Sequence, residues 1–304
     1  MFSVIAQMAF TIGLGVLWRH IEFGGLSADR ARVALTTSVY YFFLPALVLA
    51  VLWRAPLGVD TLKISLSAAS GVLASMAAMF LVARWMTLTR GQFGALLLAA
   101  SFPNATYMGL PLLASLYGDA GKSIAIQYDM FASTPILLSL GIFLAARYGQ
   151  HQEVIHPLKS LLKVPPLWAA IFGAVLNLSG VLQPDWAEGF LDRLGAAVIP
   201  IMLLALGMSL RLSTLSPRHL WKVSPVLVIQ LLFMPLVVLA VATAVHATGD
   251  TRVAIVLEAA TPVMILGLVF CDRFGLDTEM YATTATASTL LVLVTLPLWH
   301  HLLV

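Results

Sequence analysis

The chemistry in this sequence is concentrated where an otherwise apolar chain is interrupted. Pro103 and Pro262 fall near the middle of two apolar runs, with Asn104, Thr106 and Tyr107 beside the first and Thr261 and Val263 beside the second. A proline inside a helix removes a backbone donor, clashes with the preceding turn and disfavours helix at the residue before it, so each run is expected to break into two half-helices. Thr261 followed by Pro262 reads as an N-cap with proline at the first helical position, and Asn104 or Ser101 can serve similarly upstream. Each restarted half-helix directs unpaired N–H groups and about half a positive charge toward the break. Two such ends meeting at one point make a site for a small anion, most simply a carboxylate. Pro103, Asn104, Thr106, Tyr107, Thr261, Pro262 and Val263 are the candidate substrate-binding set.

Two acids lie within apolar runs. Glu258 sits one turn before Pro262, and Asp129 lies in the run that follows the first break. An acid at the centre of a bilayer costs roughly 2.5–3.5 kcal/mol on insertion scales, so it should be paired, protonated or functional. Protonated, either residue could carry a coupled proton; ionised, it could join backbone carbonyls in a sodium site. Glu258 and Asp129 are therefore candidates for the coupling ion, H+ or Na+, with an interior hydrogen bond as the structural alternative. Gln127, Asn177 and Gln230 are weaker candidates. Gly109 and Gly267 read as positions of close helix packing. No metal site is expected: Cys271 is the single cysteine, and His20, His151, His156, His219, His246, His300 and His301 fall at run ends or in connections. No G-x-x-x-x-G-K-[ST], H-E-x-x-H or G-x-S-x-G template occurs, so no catalytic residues, cofactor or enzymatic activity are expected.

The elements that position these residues follow from composition. With 60% hydrophobic and 10% charged residues and a mean hydropathy of +0.95, the chain is excluded from the water-soluble class, where charged residues run near 25%. Apolar runs suit ten membrane-spanning helices, at about residues 3–21, 33–53, 61–85, 92–117, 121–147, 165–182, 189–210, 220–246, 252–274 and 280–303. The first run has no basic flank or cleavage site and is expected to be retained. Twelve Lys or Arg fall in connections on one side and five (Arg54, Lys63, Lys122, Arg193 and Arg252) on the other. Basic residues stay cytoplasmic, so both termini are expected outside the cytoplasm of a plasma (inner) membrane. The net charge of +3 gives no reason to invoke nucleic acid.

The chain also repeats itself. Pro45 with Leu49-Ala50 recurs as Pro200 with Leu204-Ala205, and Ala132-Ser133-Thr134 recurs as Ala287-Ser288-Thr289, both 155 residues on. Gly109 and Gly118 find counterparts in Gly267 and Gly275. An odd number of spans per half makes such a repeat inverted, an arrangement characteristic of secondary transporters with alternating access. The expected fold is all-α, with residues 1–147 and 165–304 as inverted five-helix halves, 148–164 as a short cytoplasmic connection, and broken helices 4 and 9 crossing.

The run Ser101 to Leu112 resembles the fourth-helix signature of the auxin efflux carrier family, and Ala259 to Pro262, Phe274-Gly275, Ala287 to Thr289 and Leu296 to Leu298 are similar to its closing region. The resemblance covers nearly the whole chain. It implies a ten-helix fold shared more distantly with bile acid sodium symporters, in which spans 1, 2, 6 and 7 form a scaffold and spans 3–5 and 8–10 a transport domain moving as an elevator. It also implies a homodimer through the scaffold and a carboxylate as substrate, indole-3-acetate in plant members and malonate, malate and similar acids in bacterial ones. The short 148–164 connection departs from the long regulatory loop of many plant members. Glu258 is unusual for the family and similar in place to an acidic sodium ligand of the bile acid branch. Three functions stand: a carboxylate efflux carrier, a sodium-coupled organic anion symporter, and a non-transporting receptor.

Overall fold

The computed structural model describes residues 2–150, 161–215 and 217–304. The connection expected at 148–164, with its basic Lys159, lies largely outside the described residues. The described residues are helical, without strands, and seven helices are long and apolar enough to cross a membrane. These are α1 (Phe2–Ile21), α2 (Ala28–Arg54), α3 (Val59–Trp85), α5 (Ala105–Tyr148), α7 (Asp185–Thr214), α8 (His219–Ala244) and α11 (Thr278–Leu303). Shorter pieces complete the chain: α4 (Arg90–Ser101), α6 (Pro165–Leu178), α9 (Gly249–Ala259) and α10 (Gly267–Phe274). The 44-residue α5 is bent at Gly118, whose φ of 58° and ψ of −134° suit only glycine without strain.

Five short stretches wind as π-helix: Val39–Phe43, Ala105–Gly109, Asp129–Ser133, Leu137–Gly141 and Ile229–Phe233. Four of them have a physical cause written in the sequence. Pro45, Pro111, Pro135 and Pro235 each lie two residues beyond a π segment, and in an α-helix each ring would strike the carbonyl four residues earlier, that of Tyr41, Tyr107, Phe131 or Leu231. Each of those carbonyls belongs to the middle residue of its π segment. The widened turn carries the carbonyl clear of the ring and lets the helix continue, where a sharp kink would otherwise form.

Packing sorts the helices into two groups. In one, α2 packs on α6 and α7, and α1 packs on the second half of α7. The second contact is set by two glycines: a Cβ on Gly15 would meet Met208 N at 2.8 Å and Gly207 Cα at 2.9 Å, and a Cβ on Gly207 would run into Ile12 backbone. Small residues thus let the two backbones touch. Asn177 of α6 donates to Trp53 O at 2.8 Å and Ala55 O at 2.7 Å, finishing the end of α2, so it is a structural cap. In the other group, α3 packs on α4 and α8, and α9 packs on α5 and α8.

Candidate crossover site

The two proline-centred interruptions meet. Phe102, Pro103 and Asn104 are not helical, and they run antiparallel to Pro262, Val263 and Met264. Asn104 N–H donates to Pro262 O at 2.7 Å and Met264 N–H to Phe102 O at 3.1 Å. Side chains from two further helices, α8 and α11, hold the second segment of this clasp. Gln230 Nε2 donates to Thr261 O at 3.1 Å, Val263 N–H donates to Ser288 Oγ at 3.1 Å, and Tyr281 OH donates to Met264 O at 2.7 Å. Buried backbone must be paired, and these bonds pair it. Ser288, which the sequence offered only as part of a repeated tripeptide, has this role.

The capping expected from sequence takes a different form. Helix does not restart at Pro262 but at Gly267, because residues 262–264 are extended to pair with 102–104. Thr261 Oγ1 instead donates to Glu258 O at 2.7 Å, closing the end of α9. Asn104 does stand at the N-terminus of α5, yet its side chain makes no cap bond; its carbonyl accepts from Met108 and Gly109 N–H, both at 3.1 Å. Asn104 Nδ2 is buried without a partner. Ser101 Oγ donates to Leu97 O inside α4.

Beside the clasp lies a cavity of about 90 Å³. Thr106, Tyr107 and Asp129 line it, with Tyr40, Thr134 and Leu266. Asp129 accepts from Thr106 Oγ1, and from Thr134 Oγ1 at 2.8 Å. Four of the five π segments contribute lining residues: Val39 and Tyr40, Thr106 and Tyr107, Asp129 and Met130, Leu137 and Leu138. Of the candidate binding set, Thr106 and Tyr107 reach the cavity; Pro103, Asn104, Thr261, Pro262 and Val263 are buried in the clasp behind it. Tyr40, Met130 and Thr134 were not legible as lining residues, since nothing but the proline five residues beyond Tyr40 or Met130 marks the widened turn.

Glu258 does not reach the cavity. It is fully buried, neither carboxyl oxygen has a hydrogen-bond partner, and the group lies so close to Gly109 that a Cβ there would overlap it. Tyr128 OH, buried nearby, also lacks a partner. Gln127 faces elsewhere, into a second cavity of about 410 Å³ that is rimmed by Arg54, Asp60 and Asp119 and lies beyond the opposite side of the same helix. Gly267 admits Tyr281, whose hydroxyl occupies the space a Cβ would need.

A helical bundle with apolar spans, an internal backbone clasp and a largely apolar cavity beside it is the build of a polytopic membrane protein. A profile of the family described as "Membrane transport protein" matches residues 1–300, and the chain belongs to that family, the auxin efflux carrier family. An "Uncharacterized transporter" from Methanothermobacter thermautotrophicus is 30% identical over 92% of this chain and 91% of its own length. The "Uncharacterized transporter MJ1031" from Methanocaldococcus jannaschii is 23% identical over 70% and 69%, and "YfdV" from Escherichia coli, also described as an uncharacterized transporter, 24% identical over 67% and 66%. The chain is a membrane transporter.

Proposed function

We propose that the protein is a secondary carrier of the efflux type that moves a small organic anion, a carboxylate, through the plasma (inner) membrane. Ten spans form two inverted five-helix halves, residues 1–147 and 165–304, with both termini outside the cytoplasm. The first packing group, spans 1, 2, 6 and 7, is the scaffold and the homodimer contact; the second moves against it as an elevator. The observation that carries this reading is the clasp, in which Phe102–Asn104 of one half and Pro262–Met264 of the other exchange the same pair of backbone bonds beside the cavity. An inverted repeat brings equivalent segments of its halves together at the midplane. Thr106 and Tyr107 in the first turn of α5 meet the solute, the clasp fixes where that turn begins, and Asn104 Nδ2 supplies a free donor at the break. The cavity, about 90 Å³, exceeds the roughly 10–15 Å³ that a single water needs, so it has room for a small solute group.

Glu258 carries the coupling ion. A fully buried carboxyl with both oxygens unmatched is a group that something must accompany, and a proton is the simplest companion. The test is a thermal-shift screen of purified protein against mono- and dicarboxylates, with sodium and with choline. Stabilisation independent of sodium supports the proton or uniport reading. Stabilisation that requires sodium replaces it with a sodium-coupled symporter, and no response to any carboxylate overturns the substrate class.

A further inference from the structure

Arg32 reads in the sequence only as one of the basic residues that set orientation, yet its surroundings ask for a ligand. It is half-buried on the first turns of α2, and its Nε is buried without a hydrogen-bond partner. Asp29 forms only a loose ion pair with it: Oδ1 stands 3.9 Å from that Nε, beyond hydrogen-bond reach, and already accepts from Arg19 Nη2 at 2.9 Å. A guanidinium offers donors in a fixed planar fork that matches a carboxylate. One with a dry, unmatched N–H is a receptor for an incoming anion.

What Arg32 faces names the anion. It lines a cavity of about 50 Å³ together with Thr36, Tyr107, Ile265 and Leu266. Tyr107 and Leu266 also line the larger cavity that holds Thr106 and Asp129. The two spaces are therefore neighbours, divided by one side chain from each interrupted span. At the opposite end of α2 a second arginine borders a cavity, and it is occupied. Arg54 donates to Ala50 O at 3.1 Å, to Glu188 at 2.8 Å and to Asp192 at 3.2 and 2.5 Å. A carboxylate arriving there finds the guanidinium already engaged by two others.

We infer that Arg32 is the specificity-determining residue that captures the solute's carboxylate at the mouth of the cavity and hands it past Tyr107 toward the clasp. The inference rests on the carboxylate reading above. It adds a direction: the face bearing Arg32 loads the anion and the face bearing the saturated Arg54 lets it go. Because Arg32 belongs to the first packing group and Tyr107 to the second, the capture site exists only while the two groups stand as they do here.

The test uses purified full-length protein and the probes acetate, malonate, malate and indole-3-acetate, each beside its uncharged amide, with binding measured by calorimetry on monodisperse samples. The wild type is expected to prefer at least one acid over its amide. Arg32→Gln should lose about tenfold or more of that preference, as a charge-assisted hydrogen bond requires, while Arg30→Gln, altered at an exposed neighbour, keeps it. Arg32→Lys, which retains charge without the fork, should bind the acid more weakly than wild type and more tightly than Arg32→Gln. An Arg32→Gln protein that binds the acid as wild type does overturns the inference and leaves the carboxylate reading standing. Should Arg32→Gln fail to purify, unchanged affinity in Arg32→Lys overturns it equally. A wild type that binds none of the acids overturns the carboxylate reading, and the inference with it.

Discussion

Substituting Gly109 by alanine probes the buried contact between the two interrupted spans. The new Cβ would fall inside van der Waals contact with Cδ and both oxygens of Glu258. The carboxyl cannot retreat to solvent, because Glu258 is fully buried, and a shift must displace packed neighbours. Overpacking of this kind costs about 1–3 kcal/mol, or a fall in melting temperature of several degrees at roughly 2–4 °C per kcal/mol for large domains. The assay is thermal melting of detergent-purified wild type, Gly109→Ala, Glu258→Ala and the double variant. Truncating Glu258 removes all three atoms that the Cβ would meet, so the double variant should melt no lower than Glu258→Ala alone, a coupling of about 1–3 kcal/mol. If Gly109→Ala lowers the melting temperature equally in both backgrounds, the contact does not restrain the carboxyl and the reasoning fails.

Gly15→Ala and Gly207→Ala should each be more damaging than Gly109→Ala, because the added Cβ meets partner backbone and not a side chain; the yield of monodisperse protein and its melting temperature report this. Asn104→Ala should leave melting nearly unchanged, since Asn104 Nδ2 has no partner to lose, and should abolish stabilisation by carboxylates; equal loss of both would count against a ligand role. Glu258→Gln should still bind solute but lose the response of transport to a pH gradient across proteoliposomes, and normal pH and sodium dependence would reduce Glu258 to packing and turn attention to Asp129→Asn. Ser3→Cys and Val304→Cys, on a Cys271→Ala background, should label from outside intact cells, and labelling only after permeabilisation would refute the orientation.

Both interruptions were legible because proline in the middle of an apolar run has few other outcomes, and the clasp sits where Pro103 and Pro262 predicted. The local chemistry was not. Thr261-Pro262 has the form of a helix start, but form alone does not show that residues 262–264 are taken up by pairing with a segment about 160 residues away. Glu258 stood out as an acid in an apolar run, while its place away from the cavity and against Gly109 is a property of the packed molecule. Asp129 was legible only as an acid in an apolar run; that it lines the cavity, held by Thr134, was not, since Thr134 was visible only as the last residue of a repeated tripeptide. Arg32 was counted as a topological charge because exposure and partner are properties of the packed molecule.

The prolines two residues beyond the π segments have a consequence for how this chain tolerates change. A π turn is an α turn with one residue too many, so deleting a single residue from Asp129–Ser133 would remove the widening while leaving the helix beyond it in nearly the same phase. Pro135 would then meet the carbonyl four residues before it with no widened turn to carry that oxygen clear of the ring, and the helix lining the cavity would have to kink. The shape of the site is thus stored in the spacing between each proline and the turn before it, a relation that most point substitutions leave intact and a one-residue deletion erases.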